Sequence, residues 1–450
     1  MWTCEQVLTL SPDASSTKNG KALATVAKWS LLGRSPQAVW GECQGSGKKP
    51  YRTQIDLSEP AFRCSCPSRK FPCKHALALF LLLVQEADSF KNSPAEDAPP
   101  WVSEWLEKRS QAAQRKQAKV AKAVDPEAQA KRIQQREKKI AAGLVDLEQW
   151  LEDMVRQGFG DLPNQPYSFW DRAAARLVDA QAPGLARRVR SLAGIPHSGQ
   201  HWPDRMLRSL GLLHLLVQGY RRSATLSPAM EAEVRSQIGW TQSQDDLRRR
   251  LEDGDPLVLR EKDTWQIMGR VSFEEHNMKG QRTWLWGLRS QRWAHVLTFS
   301  HGNQPPDTTL VPGSRFGGEL IFYPGTGMQR AFVESREEAV PCLSEEFAAA
   351  DIGEDISGAI ASYSATLKQN PWLEQYPMLL KQACLMYEEE RYWVQDLAGY
   401  VLPVSPRFQD SLKLLAISGG HPMPIFGQWN REIFLPLGIL NKGQLIGMEV

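Results

Sequence analysis

Residues 61–77 read Ala61-Phe62-Arg63-Cys64-Ser65-Cys66-Pro67-Ser68-Arg69-Lys70-Phe71-Pro72-Cys73-Lys74-His75-Ala76-Leu77, and this stretch decides how the front of the chain folds. It places three thiols and one imidazole within the twelve residues from Cys64 to His75. Zinc prefers a tetrahedron of such ligands. Residues i and i+2 of an extended strand point to the same face, so Cys64 and Cys66 can hold one ion together. The loop that follows returns the chain to Cys73 and His75. The pattern therefore predicts one Zn2+ held by Cys64, Cys66, Cys73 and His75.

Four protein ligands fill a tetrahedral ion, so the predicted site is closed and structural, and its metal supplies folding free energy. Two alternatives stand beside zinc. The four side chains could be buried without metal, but a loop as charged as this one is an unusual place to bury thiols. Cys64 and Cys66 could form a C-x-C disulfide, which leaves the spacing of Cys73 and His75 unexplained.

The segments around the cysteines predict a strand-strand-helix unit. Residues 39–43 and 51–57 have the composition of a hairpin, and residues 51–57 alternate apolar with polar as a half-buried strand does. A helix is predicted from His75 to about Ala87. Residues 16–33 carry apolar side chains near helical spacing and are predicted to be a short helix that Gly33 closes.

The rest of the chain divides by composition. The predicted fold class is α+β, with an N-terminal strand-strand-helix zinc finger, a central all-helical region and a C-terminal region of mixed antiparallel β structure and helix. The predicted domains are a zinc finger domain (1–90), a basic helical linker (91–140), a helical domain (141–252) and an antiparallel β-rich domain with a helical insertion (253–450). Asp125-Pro126 is expected to start a long helix, and residues 342–389 are predicted to be helical.

Composition limits the class of protein. With 450 residues, 42% hydrophobic and 23% charged, the chain is an ordinary globular protein. Seven cysteines, an odd number, do not form a secreted disulfide framework. The first residues lack the pattern of a signal peptide, and the longest apolar run, 76–84, is too short to cross a bilayer. We therefore expect a cytoplasmic protein with no membrane partner.

Charge is unevenly distributed along the chain. Residues 1–100 carry 12 basic and 9 acidic side chains and residues 101–140 carry 11 and 5, whereas residues 261–450 carry 16 and 22. A basic front favours an anionic partner. The candidate nucleic-acid contacts are Arg52, Arg63, Arg69, Lys70 and Lys74. An equally good interpretation is a solvated surface around a structural zinc.

Cys64-Ser65-Cys66, six residues and Cys73-Lys74-His75 resemble the SWIM zinc finger, whose pattern is C-x-C followed by C-x-H. Together with residues 40–47, 66–77, 150–158 and 174–186, the front half is similar to the bacterial SWIM zinc finger family proteins. This resemblance implies a finger that binds DNA or mediates protein contacts. It also implies an association with MoxR-type AAA ATPases and von Willebrand A-domain proteins.

Two functions follow as hypotheses. One is a nucleic-acid-binding accessory protein that binds DNA or another nucleic acid through the finger and the basic helices. The other is a protein-interaction subunit of an AAA ATPase and von Willebrand A-domain assembly with no nucleic-acid contact. An enzyme is not predicted, because the sequence shows no nucleophile-base pair, carboxylate dyad or nucleotide loop at a convincing spacing. Trp284, Trp286 and Trp293 could stack on bases, but core packing of a sheet is the favoured interpretation.

Overall fold

The structure is a computed structural model that describes residues 2–8, 10–45, 49–57, 61–68, 70–92, 98–118, 126–275, 278–301, 309–327, 329–341 and 353–449. Its helices are α1 (Cys4–Leu8), α2 (Ala14–Leu23), α3 (Lys74–Gln85), α4 (Pro100–Ala118), α5 (Pro126–Gln157), α6 (Tyr167–Asp179), α7 (Pro183–Ser191), α8 (Trp202–Arg221), α9 (Pro228–Ile238), α10 (Gln244–Glu252), α11 (Ile356–Gln369) and α12 (Ser411–Ser418).

The strands form three sheets. The first contains β1 (Trp29–Arg34), β2 (Ala38–Cys43), β3 (Tyr51–Asp56), β4 (Ala61–Cys64) and β5 (Lys91–Asn92). The second contains β6 (Leu259–Glu275), β7 (Met278–Gly287), β8 (Trp293–His301), β9 (Ser314–Phe322) and β10 (Arg330–Pro341). The third contains β11 (Tyr376–Glu388), β12 (Arg391–Asp396), β13 (Val401–Pro403), β14 (Met423–Trp429), β15 (Phe434–Asn441) and β16 (Gln444–Gly447).

Helix α3 is the centre of the N-terminal core. Every residue from Ala76 to Leu82 is at most 1% exposed, because the sheet β4-β3-β2-β1-β5 covers one side of the helix and α1 and α2 cover the other. A helix that is apolar on all sides is stable only when it is enclosed in this way. The ring of Phe80 lies 5.1 Å from that of Trp2, so the first residues of the chain help to cover the helix.

The other face of the first sheet is covered by α4. Val102 is fully buried against Ala38 and Trp40, and the side-chain amide of Gln54 donates to the carbonyl oxygen of Trp101 at 3.1 Å. Strand β3, predicted to be half-buried, is therefore buried on both faces, and Gln54 and Asp56 are only 3% and 5% exposed.

The predicted helix over residues 16–33 is wrong in its second half. Helix α2 ends at Leu23, and Trp29–Arg34 forms strand β1, which pairs with β2 and β5. Gly33 does not close a helix. A Cβ atom at Gly33 would lie 2.5 Å from the ring of Trp40, so glycine is needed there for close packing against that ring.

Helices α5 to α9 form a helical bundle. The apolar stripe of α5 is buried as expected at Ile140, Leu144, Leu147, Leu151 and Met154, whereas Ile133 is 40% exposed. Helix α5 runs without interruption through residue 140, where the sequence placed the end of the basic linker.

Strands β6 to β10 close into a barrel in the order β10-β8-β7-β6-β9, with β8 and β10 parallel. Counted from the first barrel strand, the neighbours run first, second, third, fifth and fourth, so β10 lies between β8 and β9. The second β unit is the six-stranded sheet β13-β12-β11-β14-β15-β16.

The outer face of β6 and β7 packs against the six-stranded sheet. Trp284 and Trp286 are 0% and 7% exposed, and the ring of Trp293 stacks on Phe426 with centroids 5.2 Å apart. These tryptophans belong to the core and are not a platform for bases.

The predicted α+β fold class is confirmed, with a finger of strands and helix, a helical middle region and C-terminal antiparallel sheets with helices. The helix predicted over 342–389 is only partly correct. Residues 356–369 are helical, residues 376–388 form the inner strand β11, and residues 342–352 lie outside the described part of the chain. No helix in the described ranges combines the length and hydropathy needed to span a membrane.

Candidate metal centre

The four predicted zinc ligands come from three consecutive local structures. Cys64 is the last residue of β4, Cys66 lies just beyond it, Cys73 is the N-cap residue of α3 and His75 lies in the first turn of that helix. Strand β4 pairs with β3 so that Cys64 lies opposite Thr53. The sheet therefore fixes one pair of ligands and the helix fixes the other.

The ligand atoms of Cys64, Cys66, Cys73 and His75 all lie within 4.8 Å of one another. The Nδ1 atom of His75 is 3.8 Å from the sulfur of Cys64 and 4.0 Å from the sulfur of Cys73. In a tetrahedral site with Zn–S near 2.3 Å and Zn–N near 2.0 Å, ligand atoms are about 3.5–3.8 Å apart. The four side chains therefore fit a single zinc ion with only a small contraction.

Burial and neighbouring groups support the same site. Cys73 and His75 are 5% and 4% exposed. The ring of Tyr51 lies 4.9 Å from that of His75, and the Thr53 hydroxyl is 3.2 Å from the sulfur of Cys64. A hydroxyl that donates to a ligating thiolate and a ring that packs on a ligating imidazole both orient the ligands.

The strand that precedes the loop also holds it in place. The backbone N–H of Ser65 donates to the carbonyl oxygen of Arg52 at 2.9 Å, and the N–H of Arg52 donates to the hydroxyl of Ser65 at 2.9 Å. Cys64 and Cys66 therefore leave the sheet in a fixed direction.

The protonation of these groups responds to their proximity. Hydrogen bonding with Cys64 and Cys73 holds the pKa of the Cys66 thiol far below its usual range. Burial lowers the pKa of His75, but hydrogen bonds with the sulfurs of Cys64 and Cys66 outweigh that effect and raise it to about 9. Zinc requires the thiolate and neutral imidazole forms, so metal binding releases protons from this cluster.

Cys43 lies close to the cluster but outside the ligand set. It is fully buried on β2, and burial raises the pKa of its thiol above the usual value. Cys43 is not among the four side chains whose ligand atoms lie within 4.8 Å of one another, which distinguishes it from the ligands.

One zinc held by three cysteines and one histidine is the cofactor that this geometry supports. All four tetrahedral positions are occupied by protein, so the ion has no free position for a substrate and its role is structural. It joins β4 to α3, and the buried helix α3 in turn organises the N-terminal core.

The predicted nucleic-acid contacts differ in their surroundings. Arg63 and Lys74 are exposed, and no ion pair is recorded for either within the described residues. Arg52 pairs with Glu42 at 3.2 Å, and Lys70 pairs with Asp13 at 2.8 Å. Arg69 lies outside the described residues.

The sequence interpretation missed Asp13 and Trp101, two residues that shape this surface. Asp13 caps α2 through the backbone N–H of Ser16 at 2.7 Å and holds Lys70, and Trp101 lies 5.8 Å below the guanidinium of Arg52. The capping position of Asp13 was visible in the sequence, but its contact with a residue 57 positions away was not.

Two family models match the chain. Residues 51–83 match the SWIM zinc finger, and residues 135–238 match the SWIM-associated four-helix bundle domain. The first match contains β3, β4, all four ligands and most of α3. The second runs from within α5 to the end of α9. The predicted SWIM finger with its C-x-C, six residues and C-x-H is thereby confirmed. No curated protein and no solved structure matches the chain.

Proposed function

We propose that this protein is a nucleic-acid-binding accessory protein that uses the surface of its zinc finger to bind phosphates. The observation that carries the proposal is the pair of exposed cations Arg63 and Lys74, which flank the zinc ligands on both the strand and the helix and have no described ion pair. Cations without carboxylate partners are available to replace the counterions of a nucleic acid.

Two further cations on the same surface, Arg52 and Lys70, can also contact phosphates although each forms an ion pair. Arg52 and Lys70 are 57% and 54% exposed at the side chain, and their ion pairs with Glu42 and Asp13 are surface pairs. Exposed ion pairs contribute only about 0–1 kcal/mol, so exchange of a carboxylate for a phosphate has little energetic barrier.

The proposal is tested by the salt dependence of DNA binding. Each phosphate neutralised on duplex DNA contributes about 0.9 to the slope of log K against log salt concentration. The double variant Arg63→Gln/Lys74→Gln should therefore reduce the slope by about 1.8 and weaken binding at all salt concentrations. Fluorescence anisotropy with a labelled duplex measures both quantities.

Lys368→Gln is the control, because Lys368 is an exposed lysine in the C-terminal part of the chain, outside the zinc finger. It should leave the slope unchanged. Binding that lacks salt dependence, or a double variant that binds as the parent does, would refute the finger as the nucleic-acid surface.

Within this proposal the protein is not an enzyme and resides in the cytoplasm. The zinc has no open position at which a substrate could bind. None of the six cysteines that the structure describes forms a disulfide, which fits a reducing compartment.

A protein-interaction subunit is the second candidate function. The turn between β12 and β13 exposes Leu397, Tyr400 and Val401 by 68%, 56% and 45%, and a cluster of exposed apolar side chains is typical of a protein contact. The partners proposed for it are MoxR-type AAA ATPases and von Willebrand A-domain proteins. Co-purification with such partners, lost in Tyr400→Ser and accompanied by no DNA binding at low salt, would favour this function.

A further inference from the structure

Helix α5 begins outside the bundle to which it belongs. Every residue from 130 to 135 is exposed, and Ile133, which continues the apolar stripe of the helix, is 40% exposed. The first buried residue in the described part of the helix is Ile140. At a rise of about 1.5 Å per residue, roughly 15 Å of helix between residue 130 and Ile140 therefore reaches beyond the bundle core.

The bundle holds these projecting turns of α5 by their inner side. The guanidinium of Arg136 donates to the carbonyl oxygen of Gly239 at 2.9 Å, and it lies 4.4 Å from the ring of Trp240. Glu137, the one acidic residue in the sequence between 130 and 139, lies 3.1 Å from Nη2 of Arg235 on α9. These contacts fix the direction in which the helix leaves the bundle, and they engage its acidic side chain on the inner side.

The outer side of the same turns carries four exposed cations, Lys131, Arg132, Lys138 and Lys139. Successive residues of a helix are rotated by about 100°, so these four side chains lie within an arc of about 120° that is turned away from Ile140. Among the described residues, none of the four has a carboxylate at ion-pair distance. The projecting part of α5 therefore presents one continuous basic face, which we call the α5 basic face.

The charge of this side of the helix changes sign where α5 enters the bundle. Asp146 and Asp153 lie within the same arc, and Asp153 pairs with Arg156 at 2.9 Å. A solvated helix face normally mixes both signs in this way, because opposite charges at i+3 and i+4 stabilise the helix. The α5 basic face lacks such pairs, and Arg132 precedes Arg136 by four residues, a spacing at which like charges destabilise a helix. Helix stability therefore does not account for these cations.

We infer that the α5 basic face is a second nucleic-acid surface, along which the projecting turns lie against the phosphate backbone of a duplex. The inference rests on the function proposed above for the class of its ligand, but it uses none of the residues of the finger. Lys131 and Lys138 are seven residues apart, about 10.5 Å along the helix axis. A duplex carries one negative charge per about 1.7 Å of its axis, so a face of this length meets several phosphates.

The side chains between the cations favour a nucleic acid over other anionic partners. Gln135 lies at the centre of the arc and Ala142 follows it two turns later, so the face offers no large apolar or aromatic anchor of the kind on which protein contacts depend. A membrane-bound helix inserts an apolar face, and the apolar face of α5 is packed into the bundle from Ile140 onward. Contacts with phosphates need only spaced cations on long side chains.

The test is the salt dependence of duplex binding by the full-length zinc-loaded protein, measured by fluorescence anisotropy. The double variant Lys131→Gln/Lys138→Gln should reduce the slope of log K against log salt concentration by about 1.8, at about 0.9 for each phosphate released. Addition of Arg132→Gln and Lys139→Gln should bring the reduction to about 3.6. Glutamine has nearly the helix propensity of lysine and arginine, so the variants keep the helix.

Lys368→Gln/Lys381→Gln is the matched control, because it removes the same charge from two exposed lysines in the C-terminal part of the chain. It should leave the slope unchanged, and the charge-conserving variant Lys131→Arg/Lys138→Arg should bind as the parent does. Hydrogen exchange locates the contact independently of affinity. The amides of residues 130–139 should exchange more slowly when duplex is added to the parent, and this effect should be absent in the quadruple variant.

A quadruple variant with the slope of the parent overturns the inference, and so does a duplex that leaves the exchange of residues 130–139 unchanged. Equally tight binding of the parent to polyglutamate or to anionic lipid vesicles, lost in the same variant, assigns the face to another polyanion and also overturns it. If only Arg63→Gln/Lys74→Gln lowers the slope, the finger surface stands and the α5 basic face fails. If only the α5 variants lower it, the reverse holds, so the two proposals are distinguishable.

Discussion

Leu77→Ala probes the packing that links the zinc site to the N-terminal core. Leu77 is 0% exposed, and its Cβ lies 3.1 Å from the position that a Cβ on Gly20 would occupy, so it fills the contact between α3 and α2. The substitution removes three carbon atoms, worth about 2.4 kcal/mol of transfer free energy at roughly 0.8 kcal/mol each. The cavity adds to this, and fully buried leucines lose about 2.7–5.0 kcal/mol.

We therefore expect the opening free energy of α3 to fall by about 3 kcal/mol or more, since Leu77 is completely enclosed. Hydrogen exchange of the peptide 74–85, followed by mass spectrometry at saturating zinc, measures this quantity locally. Leu31→Ala is the matched control, because it is the same substitution in the same domain at a side chain that is 40% exposed. It should lose no more than about 1.4 kcal/mol, the buried fraction of the same transfer free energy. Equal losses in the two variants would refute the enclosed position of α3.

Three further predictions concern the N-terminal half and the helix before the barrel. The ion pair with Lys70 and the cap hydrogen bond lower the pKa of Asp13 from 3.8 to about 2, so the stabilisation from this carboxylate is complete above pH 3.8 and is lost as the pH falls through about 2. NMR titration of the carboxyl group should show this pKa, and Lys70→Gln should raise it. A pKa near 3.8 in the parent protein would contradict the contact with Lys70. Val102→Ala should destabilise the packing of α4 on Trp40 by about 2 kcal/mol, because Val102 is fully buried in that contact. Hydrogen exchange should become faster in α4 and stay the same in α5. Unchanged exchange in α4 would contradict the contact. Ser243→Ala should cost about 1 kcal/mol in α10, because its hydroxyl caps the helix at 3.0 Å, and replacement by Asp should restore the protection that Ala removes.

The zinc ligands could be predicted because the whole site is encoded in one short stretch. Cys64 and Cys66 share a strand face, and Cys73 and His75 sit at a helix start, so local geometry alone brings them together. The basic surround was only partly predictable. The ion pairs of Arg52 and Lys70 depend on Glu42 and Asp13, which come from other elements of the chain.

Two segments were assigned to the wrong secondary structure because tertiary pairing outweighed local preference. Residues 29–34 and 376–388 contain leucines and alanines that favour helix, yet β1 lies between β2 and β5, and β11 lies between β12 and β14. Short apolar runs do not separate helix from buried strand by periodicity alone.

The closed barrel and its outer face were beyond the sequence. Strand β10 pairs in parallel with β8, although β9 lies between them in sequence. No local sequence pattern predicts such a pairing.

The most direct test of the account is the zinc content of the full-length chain, measured by elemental analysis together with the hydrogen exchange of α3. The parent should carry one zinc per chain, and Cys64→Ser should lose it and lose the protection of residues 74–85, because zinc is what joins β4 to α3. A zinc-free parent, or a zinc-free variant whose α3 is as well protected as the parent's, would contradict a structural zinc finger.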